Sequence, residues 1–117
     1  MTELEKLVEA FAQNVAAQTA EIAHGSAAKG NRHAKRYIGA FDKLCAYGDA
    51  GRDALAVLFT HHRIEVRVMT AAFLLRHRTA DAKAVLEEAA ARKGVAALEA
   101  QQALTNWENG TWALDPG

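Results

Sequence analysis

The sequence predicts an all-α fold of five or six short helices, and three observations carry that prediction. Ala, Leu, Glu, Lys and Arg dominate the 117 residues, and the sole proline, Pro116, stands next to the C-terminus, so nothing interrupts a helical reading. Apolar residues recur at helical spacing along most of the chain. The stretch from Ile64 to Arg76 is apolar on nearly every side, and such a helix belongs inside a stack, with neighbours on more than one face.

Taken in order, Thr2 followed by Glu5 has the spacing of a capping box. Leu4, Val8, Phe11, Val15 and Ile22 then form one stripe of a helix expected to run to about His24, where Gly25 can take a left-handed conformation. Glu3, Glu5, Glu9, Gln13, Gln18 and Glu21 make its solvent face. Ser26 is the expected N-cap of a second helix, although Gly30-Asn31 could delay the start to Asn31. Tyr37, Ile38, Phe41, Leu44 and Cys45 form its stripe up to Gly48, and two amphipathic helices so briefly connected are expected to pack antiparallel.

Asp49 is the expected cap of a third helix, from Ala50 or Gly51 to Phe59, followed by the turn Thr60-His61-His62-Arg63 and the fourth helix, Ile64 to Arg76. Thr79 is the expected cap of a fifth, Ala80 to Ala91. Lys93-Gly94 then breaks the chain before a sixth from Val95 to about Glu108, and Asn109-Gly110 ends the regular structure.

Half the residues are apolar, enough for a core in one domain of this length. The 14 basic and 14 acidic side chains cancel, so no whole-chain field draws in nucleic acid. A single cysteine, Cys45, excludes an intramolecular disulfide and a multi-cysteine metal site, and suits a reducing compartment. No apolar run approaches the roughly 20 residues of a membrane span, and the N-terminus lacks a basic-then-apolar leader pattern. A cytoplasmic protein without membrane contact is expected.

Ala56-Val57-Leu58 matches Ala84-Val85-Leu86, and one further step of offset pairs Val66 with Val95 and Leu75 with Leu104. Two helix-turn-helix units in succession, neither covering its own apolar face, follow the logic of a helical solenoid. Ile64-Glu-Val-Arg-Val-Met-Thr-Ala-Ala-Phe-Leu-Leu resembles the second helix of a HEAT repeat, with Val66-Arg67 and Ala71-Ala72-Phe73-Leu74-Leu75 at the matching positions. The usual proline of the inter-helix turn is replaced by His61-His62-Arg63.

The whole chain also resembles a family of small bacterial proteins of uncharacterised function. Leu4-Glu5-Lys6-Leu7-Val8-Glu9-Ala10-Phe11, Gly30-Asn31-Arg32 and Gly51-Arg52-Asp53-Ala54-Leu55 carry that likeness. The resemblance implies a right-handed α-α superhelix with HEAT-like (ARM-repeat-type) packing, and no activity. The implied domain spans residues 1–117, with a helical hairpin at 1–48, HEAT-like units at 49–78 and 79–108, and a tail from 109. It also implies that Arg67 bonds carbonyls or a carboxylate of the adjoining unit, with Asp49 or Asp53 as the expected partner.

Catalytic constellations are sparse. The five histidines contain no His-x-x-x-His pair, and adjacent His61 and His62 are expected to point apart, so no metal site and no cofactor are expected. Cys45 lies on an apolar stripe, where a free thiol behaves as a small hydrophobe. Ser26 serves better as a cap, and Glu87-Glu88 diverge on a helix rather than flank a substrate. The chain is not expected to be an enzyme.

Charge is uneven along the chain. Residues 1–23 set Lys6 against four glutamates (net −3). Residues 24–52 set Lys29, Arg32, Lys35, Arg36, Lys43 and Arg52 against Asp42 and Asp49 (net +4). The preferred reading of the basic segment is a solvated face whose charges pair with Asp42, Asp49, Asp53 and the acidic first helix. Its rival is nucleic-acid binding through a local basic patch in residues 29–36 and 63–67.

The function expected is protein-protein binding by a non-catalytic module, an immunity-type or regulatory inhibitor being the sharper version. The helices at 64–76 and 95–108 present the surface to an unidentified protein partner, and self-association would cover apolar ends. Candidate contact residues are Arg32, Lys35, Arg36, Arg63, Arg67 and Trp112. Trp112 is read first as a cap over the C-terminal end and second as an anchor for a partner.

Overall fold

In the computed structural model, which describes residues 1–111, the chain is all-helical. Among the described residues six α-helices follow one another: α1 (Glu3–Ala23), α2 (Ala27–Cys45), α3 (Asp49–Leu55), α4 (Ile64–Leu74), α5 (Thr79–Ala90) and α6 (Val95–Glu108). A 3-10 helix, Ala56–Thr60, lies between α3 and α4, and there is no strand among the described residues. The chain divides into two compact units, Met1–Leu58 and a second beginning at Phe59.

In the first unit the capping box forms as its spacing predicts: Glu5 N–H donates to Thr2 Oγ1, and Thr2 N–H donates to Glu5 Oε1, both at 3.1 Å. The hydrogen bonds from Thr2, backbone first, hold the Glu5 carboxyl below its ordinary pKa. Gly25, at φ 84°, closes the helix in the left-handed region that suits glycine. Ser26 caps α2 by accepting from Lys29 N–H at 3.4 Å.

The two long helices run antiparallel, since Leu7 and Lys43 line one cleft, Phe11 meets Tyr37, and Ile22 reaches Gly30. Phe11, Val15, Phe41 and Leu44 are essentially fully buried, and the Phe11 and Tyr37 rings meet edge to face at 5.6 Å. A Cβ on Gly30 would lie 3.1 Å from Ile22 Cγ1, so the glycine tolerated early in α2 gives the helices a close approach. This explains why α2 begins at Ala27 despite Gly30-Asn31.

Several residues depart from the expected pattern. Ile22 and Ile38 stand on the predicted stripes but are exposed, and Cys45 is only half-buried because it is the last residue of α2. Gln18, assigned to the solvent face, is half-buried and accepts the Tyr37 hydroxyl at 3.3 Å. Asp49 is the first residue of α3 rather than its cap. Gly48 caps it at φ 67°, without a side-chain bond. The third helix does not continue to Phe59 as an α-helix; it tightens into the 3-10 segment after Leu55, so Ala56–Leu58 and its sequence match Ala84–Leu86 in α5 adopt different helix types.

The second unit packs α4, α5 and α6 around Val68, Ala71, Ala72, Leu75, Ala82, Leu86, Ala89, Ala100 and Ala103. Phe59, Leu104 and Trp107 lie against this core. Seven of the eleven residues of α4 are buried, and they run most of the way round the helix, as its composition requires. The helix ends at Leu74 rather than Arg76, where Arg78 N–H returns to the Leu74 carbonyl at 2.8 Å. Thr79 is not the cap of α5: Arg78 holds that place, and Thr79 Oγ1 donates backwards to the Leu75 carbonyl at 2.6 Å.

Candidate functional site

Alanine is the side chain that shapes the exposed face of the second unit. Ala72 on α4 and Ala103 on α6 are too short to fill the space between these helices, and Val68 and Met69 form the remaining apolar wall. The result is a groove of about 230 Å³, bordered on α6 by Glu99 and Gln102. That volume falls below the range of about 300–1,000 Å³ typical of small-molecule pockets and suits a single side chain better than a cofactor. On α6, Val95, Leu98, Glu99 and Gln102 follow the i, i+3, i+4, i+7 spacing of one helix face. Val95 is 70% and Leu98 64% exposed, so apolar surface continues outside the groove.

Glu99 is the electrostatic feature of this face. Partial burial beside the groove, and then the charge of Glu65 on α4, push its carboxyl above the ordinary glutamate pKa. Glu65 is ion-paired, accepting from Arg63 Nε at 2.9 Å. Glu99 has no cationic partner among the described residues.

A second cleft, of about 280 Å³, lies in the first unit between the start of α1 and the end of α2. It is lined by Glu3, Leu7, Lys43, Ala46 and Tyr47. Its lining carries one acid and one base, so it selects no sign of charge.

The residues singled out in the sequence divide between the units. Arg32, Lys35 and Arg36 lie with Lys29 on one exposed side of α2. None of the four forms an ion pair among the described residues, which corrects the expectation that Asp42, Asp49, Asp53 and α1 neutralise them. Asp49 instead lies 3.9 Å from Arg52, one turn along α3. Arg63 is engaged with Glu65. Arg67 is half-buried, and its Nη1 donates to the His61 carbonyl at 2.7 Å, so it braces the turn before its own helix. Trp112 lies outside the described residues.

His61 and His62 do not point apart. Their rings stack at 4.4 Å with an interplanar angle of 24°, because the turn they occupy is neither helix nor strand. His61 Nδ1 accepts the Arg63 N–H at 3.1 Å, which places the proton of the neutral ring on Nε2. Burial, then His62 and Arg63, hold the His61 pKa below its ordinary value. Among the described residues no group of three or more His, Cys, Asp or Glu is arranged to hold a metal ion.

The groove residues Val68, Met69, Glu99 and Gln102 are absent from the sequence-based candidates, although the helices carrying them are the ones expected to present the surface. The available signal is Val95 and Leu98, apolar residues on the side of α6 that its alanines leave outward.

Fold and face together define a small all-helical protein with an acid-edged apolar groove. It belongs to the family described as Domain of unknown function (DUF2019), whose profile matches residues 5–108. No curated protein and no solved structure matches the chain. No helix among the described residues is long and apolar enough to cross a membrane.

Proposed function

We propose that this protein is a non-catalytic protein-interaction module that engages its partner through the exposed face of α4 and α6. The observation that carries the reading is the open apolar groove beside exposed Val95 and Leu98. Contiguous apolar surface on a soluble protein commonly marks an interaction site. HEAT-like packing belongs to the same reading, supported by the Val66-Arg67 and Ala71-Ala72 pattern on α4. An immunity-type or regulatory inhibitor is its sharper form. The lone, half-buried Cys45 supports a reducing, cytoplasmic setting.

The test is capture of partners from native lysate by tagged wild-type protein, at low and high salt and after nuclease treatment, beside a Leu98→Asp variant. A stoichiometric protein that survives salt and nuclease and is lost with Leu98→Asp supports the reading. Equal capture by both forms refutes it for this face.

A second reading, nucleic-acid binding, is favoured by the four unpaired cations on one side of α2. It predicts nucleic acid recovered only at low salt, because release of counterions makes phosphate binding steeply salt-dependent. Neutralising Arg32, Lys35 and Arg36 would abolish that recovery.

A further inference from the structure

Resting on the interaction reading, we propose that the α4–α6 groove accepts an arginine or lysine side chain from a basic segment of the partner protein. The aliphatic stem lies along Val68, Met69, Ala72 and Ala103, and the charged head meets Glu99. Three features select this occupant. The groove has the size of one side chain, and its walls are apolar while its border on α6 carries a carboxylate and the Gln102 amide. Long basic side chains match that division, burying their methylenes on apolar surface while the head stays polar.

Charge complementarity fixes the sign. Glu99 is partly desolvated, lies in the repulsive field of Glu65, and has no cation of its own among the described residues. Only a positive group relieves both penalties at once. An anionic or purely apolar occupant would leave the carboxylate desolvated against its neighbour. A second copy, whose exposed cations include Lys29, Arg32, Lys35 and Arg36 on α2, is the competing source of the cation and is tested by sedimentation.

The experiment uses the full chain labelled with ¹⁵N and titrated with n-butylguanidinium, with pentanoate and 1-pentanol as probes of matched length. Saturable amide shifts at Val68, Met69, Ala72, Glu99 and Ala103 are expected with n-butylguanidinium, and none with pentanoate. Glu99→Gln is an exposed substitution on α6 that leaves the core untouched, and it should weaken the guanidinium response about fivefold. Equal responses to all three probes, no response to any, or an unchanged response in Glu99→Gln would overturn the proposal.

The interaction reading is separated by repeating the lysate capture with Gln102→Trp, which fills the groove from its exposed rim, and with Glu99→Gln. A partner lost with Gln102→Trp but held by Glu99→Gln leaves the module reading standing and removes the basic side chain. Sedimentation of the free protein tests the remaining occupant. A concentration-dependent dimer abolished both by Glu99→Gln and by neutralising Arg32, Lys35 and Arg36 would give the groove to a second copy, and the proposal would fail.

Discussion

Gly51 and Leu44 approach so closely that a Cβ on Gly51 would overlap the Leu44 carbonyl oxygen and lie 2.6 Å from the carbonyl carbon. The neighbour is backbone at the end of α2, which cannot swing aside as a side chain would. Gly51→Ala should therefore force α3 away from α2 and lower stability by about 3 kcal/mol or more. Gly39, inside α2, has open space where a methyl would stand, with nothing within 4 Å, so Gly39→Ala should raise stability by roughly 0.5–1 kcal/mol. Urea denaturation of both variants checks the pair, and a neutral Gly51→Ala would show that the contact tolerates a shift.

Thr70 is fully buried in α4, and its hydroxyl has no hydrogen-bond partner among the described residues. A desolvated hydroxyl without a partner opposes folding, whereas a methyl of the same shape does not. Thr70→Val is expected to stabilise by about 1 kcal/mol, measured as a higher urea midpoint at unchanged slope. Destabilisation would mean that the hydroxyl is satisfied in solution.

His61 introduces a pH dependence. Its Nδ1 accepts the Arg63 N–H, and His62, Arg63, Glu65 and the Arg67 guanidinium surround the turn. Because its folded-state pKa lies below the ordinary value of 6.5, folding favours the neutral ring. The associated stability is present above that value and is lost as pH falls, when protonation removes the acceptor beside cationic neighbours. Thermal unfolding at about pH 7.5 and about pH 5.5 should show a smaller acid loss for His61→Gln than for the wild type. Equal losses would assign the acid sensitivity elsewhere.

Asn14 and His33 join α1 to α2 through a hydrogen bond of 3.0 Å between Oδ1 and Nδ1, and Asn14 Nδ2 also donates to the Ala10 carbonyl at 2.8 Å. Asn14→Ala removes both bonds in a half-buried setting and should cost about 1 kcal/mol. A double-mutant cycle with His33→Ala measures the part that crosses between the helices, and a coupling of zero would make the cross-helix bond incidental.

Much of the first unit is legible from residues near one another in the chain. The Thr2–Glu5 box, the Ser26 cap and the Gly25 turn depend on atoms within four positions, so local spacing suffices to predict them. Gly30 and Gly51 are visible as parts of motifs, but their purpose is not. Each makes room for another helix, at Ile22 and at Leu44, and a one-dimensional pattern does not show which atoms arrive there. The HEAT analogy gives Arg67 carbonyls or a carboxylate of the adjoining unit, with Asp49 or Asp53 as the expected partner, and the acceptor it meets in space is a carbonyl, that of His61 in the turn before its own helix.

By itself the sequence determined the helical class, the helix order, most helix ends and the burial of α4, because periodicity and capping are properties of short stretches of chain. Tertiary structure alone decided the stacking of His61 on His62, the tightening after Leu55 and the groove edged by Glu99. Ala72 and Ala103, some thirty positions apart, both line the groove, and neither side chain is long enough to fill it. Only the packing of α4 against α6 brings them together and leaves Glu99 partly desolvated beside the charge of Glu65.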